Sequence, residues 1–163
     1  MMKRFLLCLT SLMIVAALGV GALAASSFSG QMFSYAKKAL ECLAAGDYDR
    51  VVTALPFSGV SPSANEWRSL AEGTFSGLSG SSPQTKYAVA YWTGSMWKVA
   101  VPVHTPDSDG VEVLVLTSED GKTFSGYGRS TWGRISDEYR SASHVTWNDE
   151  YRGSTSAVVE FDN

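Results

Sequence analysis

Residues 87–128 have the sequence YAVAYWTGSMWKVAVPVHTPDSDGVEVLVLTSEDGKTFSGYG, in which apolar runs alternate with turn-forming residues. Within the runs, apolar side chains recur at every second position, as they do in strands that bury one face. Three turn signals separate the runs: Thr93-Gly94-Ser95, Asp109-Gly110 and Asp120-Gly121. This pattern predicts an antiparallel meander with strands at residues 86–92, 96–104, 111–117 and 122–128. Pro102 has no N–H for a ladder hydrogen bond, so its strand is predicted to lie at an edge or to bulge there.

The residues before this sheet repeat with a helical period instead. Between residues 29 and 45, apolar side chains recur at three- and four-residue steps and form one stripe: Met32, Phe33, Ala36, Leu40 and Leu43. Gly46 is predicted to end this helix, and Asp47 to cap a short second helix that Pro56 ends. Ser63-Ala64-Asn65-Glu66 matches a capping box, which predicts a third helix. Two to three helices followed by an antiparallel sheet indicate the α+β class.

The C-terminal residues have a weaker pattern. Residues 133–143 are polar and are predicted to hold one turn of helix, around Ser136 to Arg140. Residues 144–147 and 155–161 are predicted to be short strands, and the sheet is predicted to have about five strands packed on the helices. We find neither an internal repeat nor a linker, so residues 25–163 are predicted to form a single soluble α+β domain.

The N-terminus has the pattern of a secretory signal. Lys3 and Arg4 precede an uncharged apolar run, residues 5–24, that ends in Ala22-Leu23-Ala24. This ending fits the A-x-A pattern that signal peptidase requires. We therefore predict that residues 1–24 are a signal peptide and that the protein is secreted or extracytoplasmic, in the cell envelope. The alternative is an uncleaved membrane anchor, because about 20 apolar residues also suffice to span a bilayer.

The charge of the chain argues against nucleic-acid and anionic-membrane partners, and its cysteine content argues against stabilisation by disulfides. The chain carries 13 basic and 16 acidic residues, a net charge of −3, and without Lys3 and Arg4 the charge is −5. An acidic chain without a basic run is a poor partner for nucleic acid or an anionic membrane. Cys42 is the one cysteine after residue 24, so no intrachain disulfide is predicted and stability must come from the core. We interpret Cys42 as a small apolar residue at the flank of the first helix.

Residues 36–55, AKKALECLAAGDYDRVVTAL, and the strand Trp97-Lys98-Val99 resemble small exported domains of the nuclear transport factor 2-like (cystatin-like) kind. The resemblance implies a long helix that lies in the concave face of the sheet and leaves a conical pocket. It implies no catalytic residue, because that superfamily contains both enzymes and inert binders.

The residues that usually carry chemistry do not converge on one site in this sequence. The two histidines, His104 and His144, are too few for a structural zinc site, and Asp107-Ser108-Asp109-Gly110 is explained better by a hairpin than by a calcium loop. We therefore predict no metal, no cofactor and no catalytic residue. A small secreted hydrolase that uses paired carboxylates, or Cys42 with a histidine, stays open as an alternative. The acids at Asp137-Glu138 and Asp149-Glu150 are interpreted as solvated loop charges.

Aromatic residues are the most suggestive feature of the second half. Those with polar neighbours are predicted to form an exposed binding patch: Trp132, Tyr139, Trp147 and Tyr151. Exposed Trp and Tyr side chains stack on sugars or anchor protein partners. Trp97, which alternates with valines, is predicted to lie in the core. The preferred hypothesis is an exported, non-enzymatic binding domain for a protein, a glycan or a small ligand. The alternatives are the secreted hydrolase and an envelope-anchored accessory protein, the latter with an uncleaved first segment as its membrane contact.

Overall fold

The computed structural model describes residues 28–74, 88–103 and 112–148. Along these residues three helices precede four strands, and a fourth helix and a fifth strand follow. The elements are α1 (Gln31–Ala45), α2 (Tyr48–Ala54), α3 (Ala64–Thr74), β1 (Val89–Trp92), β2 (Trp97–Val103), β3 (Glu112–Ser118), β4 (Gly126–Thr131), α4 (Trp132–Ser141) and β5 (Val145–Trp147). The predicted α+β class is confirmed.

The junction between α1 and α2 forms as its sequence predicts. Gly46 has a φ of +70°, a left-handed conformation that glycine adopts without strain. Its N–H donates to the Leu43 carbonyl at 3.2 Å, and the Asp47 N–H donates to the Cys42 carbonyl at 2.9 Å, so the end of α1 is closed by backbone hydrogen bonds. The Asp47 carboxylate then accepts from the Arg50 N–H at 3.3 Å and caps α2.

The capping box before α3 is also confirmed. The Glu66 N–H donates to Ser63 Oγ at 3.3 Å, and Glu66 Oε2 accepts from the Ser63 N–H at 2.7 Å. One turn into the helix, the Trp67 side chain is fully buried. The cap and this anchor together hold the start of α3 on the sheet.

The strands form one antiparallel sheet in the order β4-β3-β2-β1-β5. The first four strands are a meander, as predicted, and β5 returns along the sheet to pair with β1, where Val145 lies opposite Tyr91. Pro102 lies opposite Val113 of β3, but the pairing of β1 with β2 ends at Ala100. Although β2 is central in the sheet, no described strand reaches Pro102 on the β1 side. The missing N–H of Pro102 therefore breaks no hydrogen bond between described strands.

The start of β4 differs from the prediction. The strand begins at Gly126, because Lys122 and Thr123 belong to the preceding turn and Phe124 forms an isolated bridge with Phe57. The Asp120 carboxylate causes this shift, because its Oδ1 accepts from the Lys122 N–H at 2.8 Å and the Thr123 N–H at 2.7 Å. Backbone N–H groups that a side chain holds in this way are not available to a ladder.

The helix α4 is much longer than the single turn predicted around Ser136. It spans ten residues, from Trp132 to Ser141. Trp132, Ile135 and Tyr139 recur at helical spacing and pack against the sheet. Tertiary burial of this stripe stabilises a helix whose polar composition did not predict it.

The sheet therefore lies between two helical layers. The first core joins α1, α2 and α3 to the sheet face that carries Trp97, Val99 and Leu116, and Trp97 is 1% exposed as predicted. The second core joins α4 to the opposite face, which carries Val89, Tyr91 and Val115.

The predicted signal segment, residues 1–24, and the predicted strand at residues 155–161 lie outside the described residues. Among the described helices, none combines the length and the apolar character needed to cross a bilayer.

Candidate functional site

A cleft of about 410 Å³ opens where the β1–β2 turn meets the C-terminal end of α4. Tyr91 of β1 and Lys98 of β2 lie directly opposite each other, so both side chains project from the sheet face that α4 covers. Glu138 of α4 faces them across the cleft. Trp92 and Ser143 also line its wall.

Glu138 is the centre of the polar network in this cleft. Its Oε2 accepts from the Tyr91 hydroxyl at 2.7 Å and from the Lys98 ammonium at 2.6 Å. Its Oε1 accepts from Nε of Arg134, one turn earlier on α4, at 3.3 Å. The Lys98 and Glu138 side chains are 26% and 27% exposed, so this ion pair is largely shielded from solvent. Hydrogen bonds to a charged group are short and strong in such surroundings.

The network sets the protonation states of its members. Burial raises the pKa of the Glu138 carboxyl, but the hydrogen bonds from Lys98, Tyr91 and Arg134 outweigh burial and leave that pKa below its ordinary value. Burial, together with the hydrogen bond to Glu138, raises the pKa of the Tyr91 phenol well above its ordinary value. At neutral pH the carboxylate is ionised and the phenol keeps its proton.

An ionised Glu138 and a protonated Tyr91 suit ligand binding better than proton transfer or nucleophilic attack. Tyr91 acts as a hydrogen-bond donor, and the Glu138 oxygens already accept three hydrogen bonds. An ammonium group has three N–H donors, and Lys98 uses one of them on Glu138 within the described structure. Lys98 is therefore a positioned cation at the cleft with N–H groups for solvent or a ligand.

Three of the four aromatic residues predicted to form a binding patch, Trp132, Tyr139 and Trp147, lie in a contiguous row and do not line this cleft. The Trp132 and Tyr139 ring centroids are 6.0 Å apart, and those of Tyr139 and Trp147 are 5.3 Å apart. Trp132 is only 3% exposed, so its predicted exposure is wrong: the apolar stripe of α4 places it against the sheet. Tyr139 and Trp147 are half-buried on the same core, and Tyr151 lies outside the described residues.

The hydrolase hypothesis gains no support from the described histidine and cysteine. His144 is exposed, and its Nδ1 lies 3.0 Å from Oγ of the adjacent Ser143; no carboxylate in the described ranges hydrogen-bonds to it. Cys42 is buried among α1 residues on the other side of the sheet, where burial raises the pKa of its thiol. His104 lies outside the described residues. Within residues 28–74, 88–103 and 112–148, no three His, Cys, Asp or Glu side chains group as metal ligands.

Tyr91, Lys98 and Glu138 were not singled out together by the sequence. Glu138 was interpreted as a solvated loop charge, which its 27% exposure contradicts. A partial signal was present, since Lys98 is the charged residue within the alternating apolar run of β2. Its pairing with Tyr91 and with an acid some 40 positions later depends on strand register and on helix docking.

A scan against protein-family models finds no match to this chain, and neither the curated proteins nor the solved structures give a match. The resemblance to nuclear transport factor 2-like domains therefore stays an expectation.

Proposed function

We propose that this protein is an exported, non-enzymatic binding domain whose cleft between β1, β2 and α4 takes a small ligand through a carboxylate or a similar anionic group. The observation that carries the proposal is the Lys98 ammonium, held at 2.6 Å from Glu138 at the edge of the cleft. The predicted signal peptide, residues 1–24, supports export.

The cation is positioned before any ligand arrives. Tyr91 and Arg134 both donate to Glu138, and the oriented carboxylate in turn orients Lys98. A ligand that meets a preorganised group loses less conformational entropy on binding. This arrangement favours a defined contact with one anionic group over loose surface attraction.

The local charge has the sign that an anionic ligand needs. Lys98 and Arg134 contribute two positive charges against the one negative charge of Glu138. The polar network of Lys98, Arg134 and Glu138 therefore carries a net positive charge on a chain whose net charge is −3, and Lys98 is the cation of this network that lines the cleft. Ala142 lines the same cleft and offers an apolar contact for the body of the ligand.

Matched pairs of small acids and amides test this proposal. We expect acetate, succinate or benzoate to raise the melting temperature, and acetamide, succinamide and benzamide to leave it unchanged. A ligand at 100 times its Kd stabilises the folded state by about 2.7 kcal/mol, which thermal unfolding detects readily.

Two lysine variants locate the effect. Lys98→Met keeps the length of the side chain and removes the ammonium, and we expect it to abolish stabilisation by the carboxylates. Lys38→Met is the control, because Lys38 pairs with Glu41 on the exposed side of α1, away from the cleft. Equal stabilisation by acid and amide, or an undiminished effect in Lys98→Met, contradicts the proposal.

A further inference from the structure

A second cleft, of about 500 Å³, lies between α3 and β4 on the opposite face of the sheet from Lys98. Tyr127 and Arg129 are two positions apart on β4 and therefore project to the same side. Asn65 and Glu66 face them from the first turn of α3, and Leu70 from the next turn. The volume lies within the usual range for small-ligand sites.

The floor of this cleft is flat and apolar. The Tyr127 ring packs on the fully buried Trp67 indole, with centroids 4.5 Å apart and ring planes at 42°. This contact fixes the Tyr127 ring, which stays partly exposed and lines the cleft together with Leu70. A rigid aromatic surface loses little entropy when a ligand stacks on it.

The rim of the cleft offers both hydrogen-bond donors and acceptors. Ser63 occupies Oε2 of Glu66 through its N–H and its hydroxyl, and these two hydrogen bonds orient the carboxylate and leave Oε1 for a further donor. The Arg129 guanidinium donates to the Gly73 carbonyl at 3.5 Å, which places it at the C-terminal end of α3, about two turns along the helix from Glu66. The Asn65 amide supplies one more donor and acceptor pair.

The rim of this cleft carries one negative charge, on Glu66, and one positive charge, on Arg129. The hydrogen bonds from Ser63 lower the pKa of Glu66, so the carboxylate is ionised at neutral pH, and Arg129 carries the opposite charge. A ligand with a net charge meets one attractive and one repulsive group here. A neutral ligand whose hydroxyls both donate and accept satisfies both groups at once.

We infer that this cleft is a binding site for a neutral carbohydrate, in which a pyranose ring stacks its C–H face on Tyr127 and its hydroxyls pair with Glu66, Asn65 and Arg129. The flat aromatic floor with a balanced polar rim matches a sugar, which has an apolar ring face and a hydroxyl edge. The inference does not rest on the proposed function, because the two clefts share no residue and lie on opposite faces of the sheet.

Titration calorimetry with maltose, cellobiose and N,N′-diacetylchitobiose tests the inference, with glucuronate and glucosamine as charged comparisons. We expect at least one neutral disaccharide to bind, and to bind more tightly than either charged sugar. Absence of binding by all three disaccharides, or preference for a charged sugar, overturns the inference.

Exposed variants then locate the site without disturbing the core. Arg129→Gln and Asn65→Ala are expected to weaken disaccharide binding about tenfold, the effect of losing a hydrogen bond to a well-placed polar group. Arg68→Gln is the matched control: Arg68 also lies on α3 but stacks over the Tyr48 ring, at 5.3 Å, and does not line the cleft.

A further variant separates the two sites. Lys98→Met is expected to leave disaccharide binding unchanged, so loss of carboxylate binding and loss of sugar binding report on different clefts. Undiminished disaccharide binding by Arg129→Gln and Asn65→Ala overturns the site assignment.

Discussion

Replacement of Glu138 by Gln is the sharpest test of the polar network behind the first cleft. The side chain keeps its shape and loses the charge on which Tyr91, Lys98 and Arg134 converge. Lys98 then stays in a largely shielded position without a counter-ion. We expect the variant to fold and to be less stable than the wild-type protein at neutral pH.

The structure sets the size of this loss. An exposed ion pair contributes about 0–1 kcal/mol, and breaking a fully buried pair costs about 3–5 kcal/mol. The Lys98–Glu138 pair is 26% and 27% exposed, between these cases, and has a short 2.6 Å contact. We therefore expect Glu138→Gln to lower the free energy of unfolding by about 2 kcal/mol.

Urea unfolding at pH 7, followed by circular dichroism and extrapolated to water, measures this difference. Glu41→Gln is the matched control, because Glu41 also pairs with a lysine, Lys38, but at 3.4 Å and with side chains 44% and 51% exposed. We expect that control to lose no more than about 0.5 kcal/mol.

The pH dependence gives the second arm of the test. The folded pKa of Glu138 lies below its unfolded value of about 4.3, so its stabilising effect is fully present above that value and is lost as the pH falls through the folded pKa. The gap between wild type and Glu138→Gln is therefore expected to close under acid conditions. Equal losses for the Glu138 and Glu41 variants at pH 7, or a gap that persists at low pH, would refute the reasoning.

Three further predictions follow from the cores, the β3–β4 turn and the N-terminus. Trp132→Ala is expected to lower the free energy of unfolding by about 3–5 kcal/mol, because the side chain is 3% exposed; a wild-type urea curve would show that Trp132 is not a core residue. Asp120→Ala is expected to cost about 1–2 kcal/mol at pH 7 in the same assay. Burial raises the pKa of Asp120, but the hydrogen bonds from Thr123, Lys122 and Ser118 lower it to about 2, so this cost should fade as the pH falls from about 4 toward 2; a cost independent of pH contradicts the assignment. N-terminal sequencing of the exported protein is expected to begin at residue 25 or 26, and an intact N-terminus favours the anchor instead.

Local chemistry accounts for the parts of the fold that the sequence predicted correctly. Gly46 ends α1 and Ser63 caps α3 because each motif acts through residues no more than a few positions away. The meander of the first four strands follows from alternation and turn residues, which are also local. The burial of Trp97 follows from its place in that alternation.

Predictions that rested on polar neighbours were wrong where packing took precedence. Residues 133–143 are polar in composition, yet Trp132, Ile135 and Tyr139 supply a stripe that the open face of the sheet covers. The same docking buries Trp132, which was expected to be exposed, and shields Glu138, which was expected to be a solvated charge. The mean polarity of a helix does not show which of its sides is apolar, whereas burial depends on which side of the helix meets the sheet.

The sequence by itself determined the α+β class, the junction between α1 and α2, the cap of α3, the strand alternation and the acidic character of the chain after residue 24, which holds a single cysteine. Tertiary structure alone decided that α4 covers the second face of the sheet and that β5 pairs with β1. It also decided that Tyr91, Lys98 and Glu138 meet, and that Tyr127 faces Glu66 across the second cleft. The physical reason is range: caps, turns and periodicity act over a few residues, whereas both clefts need strand register and helix docking to join residues that are some 40 to 60 positions apart.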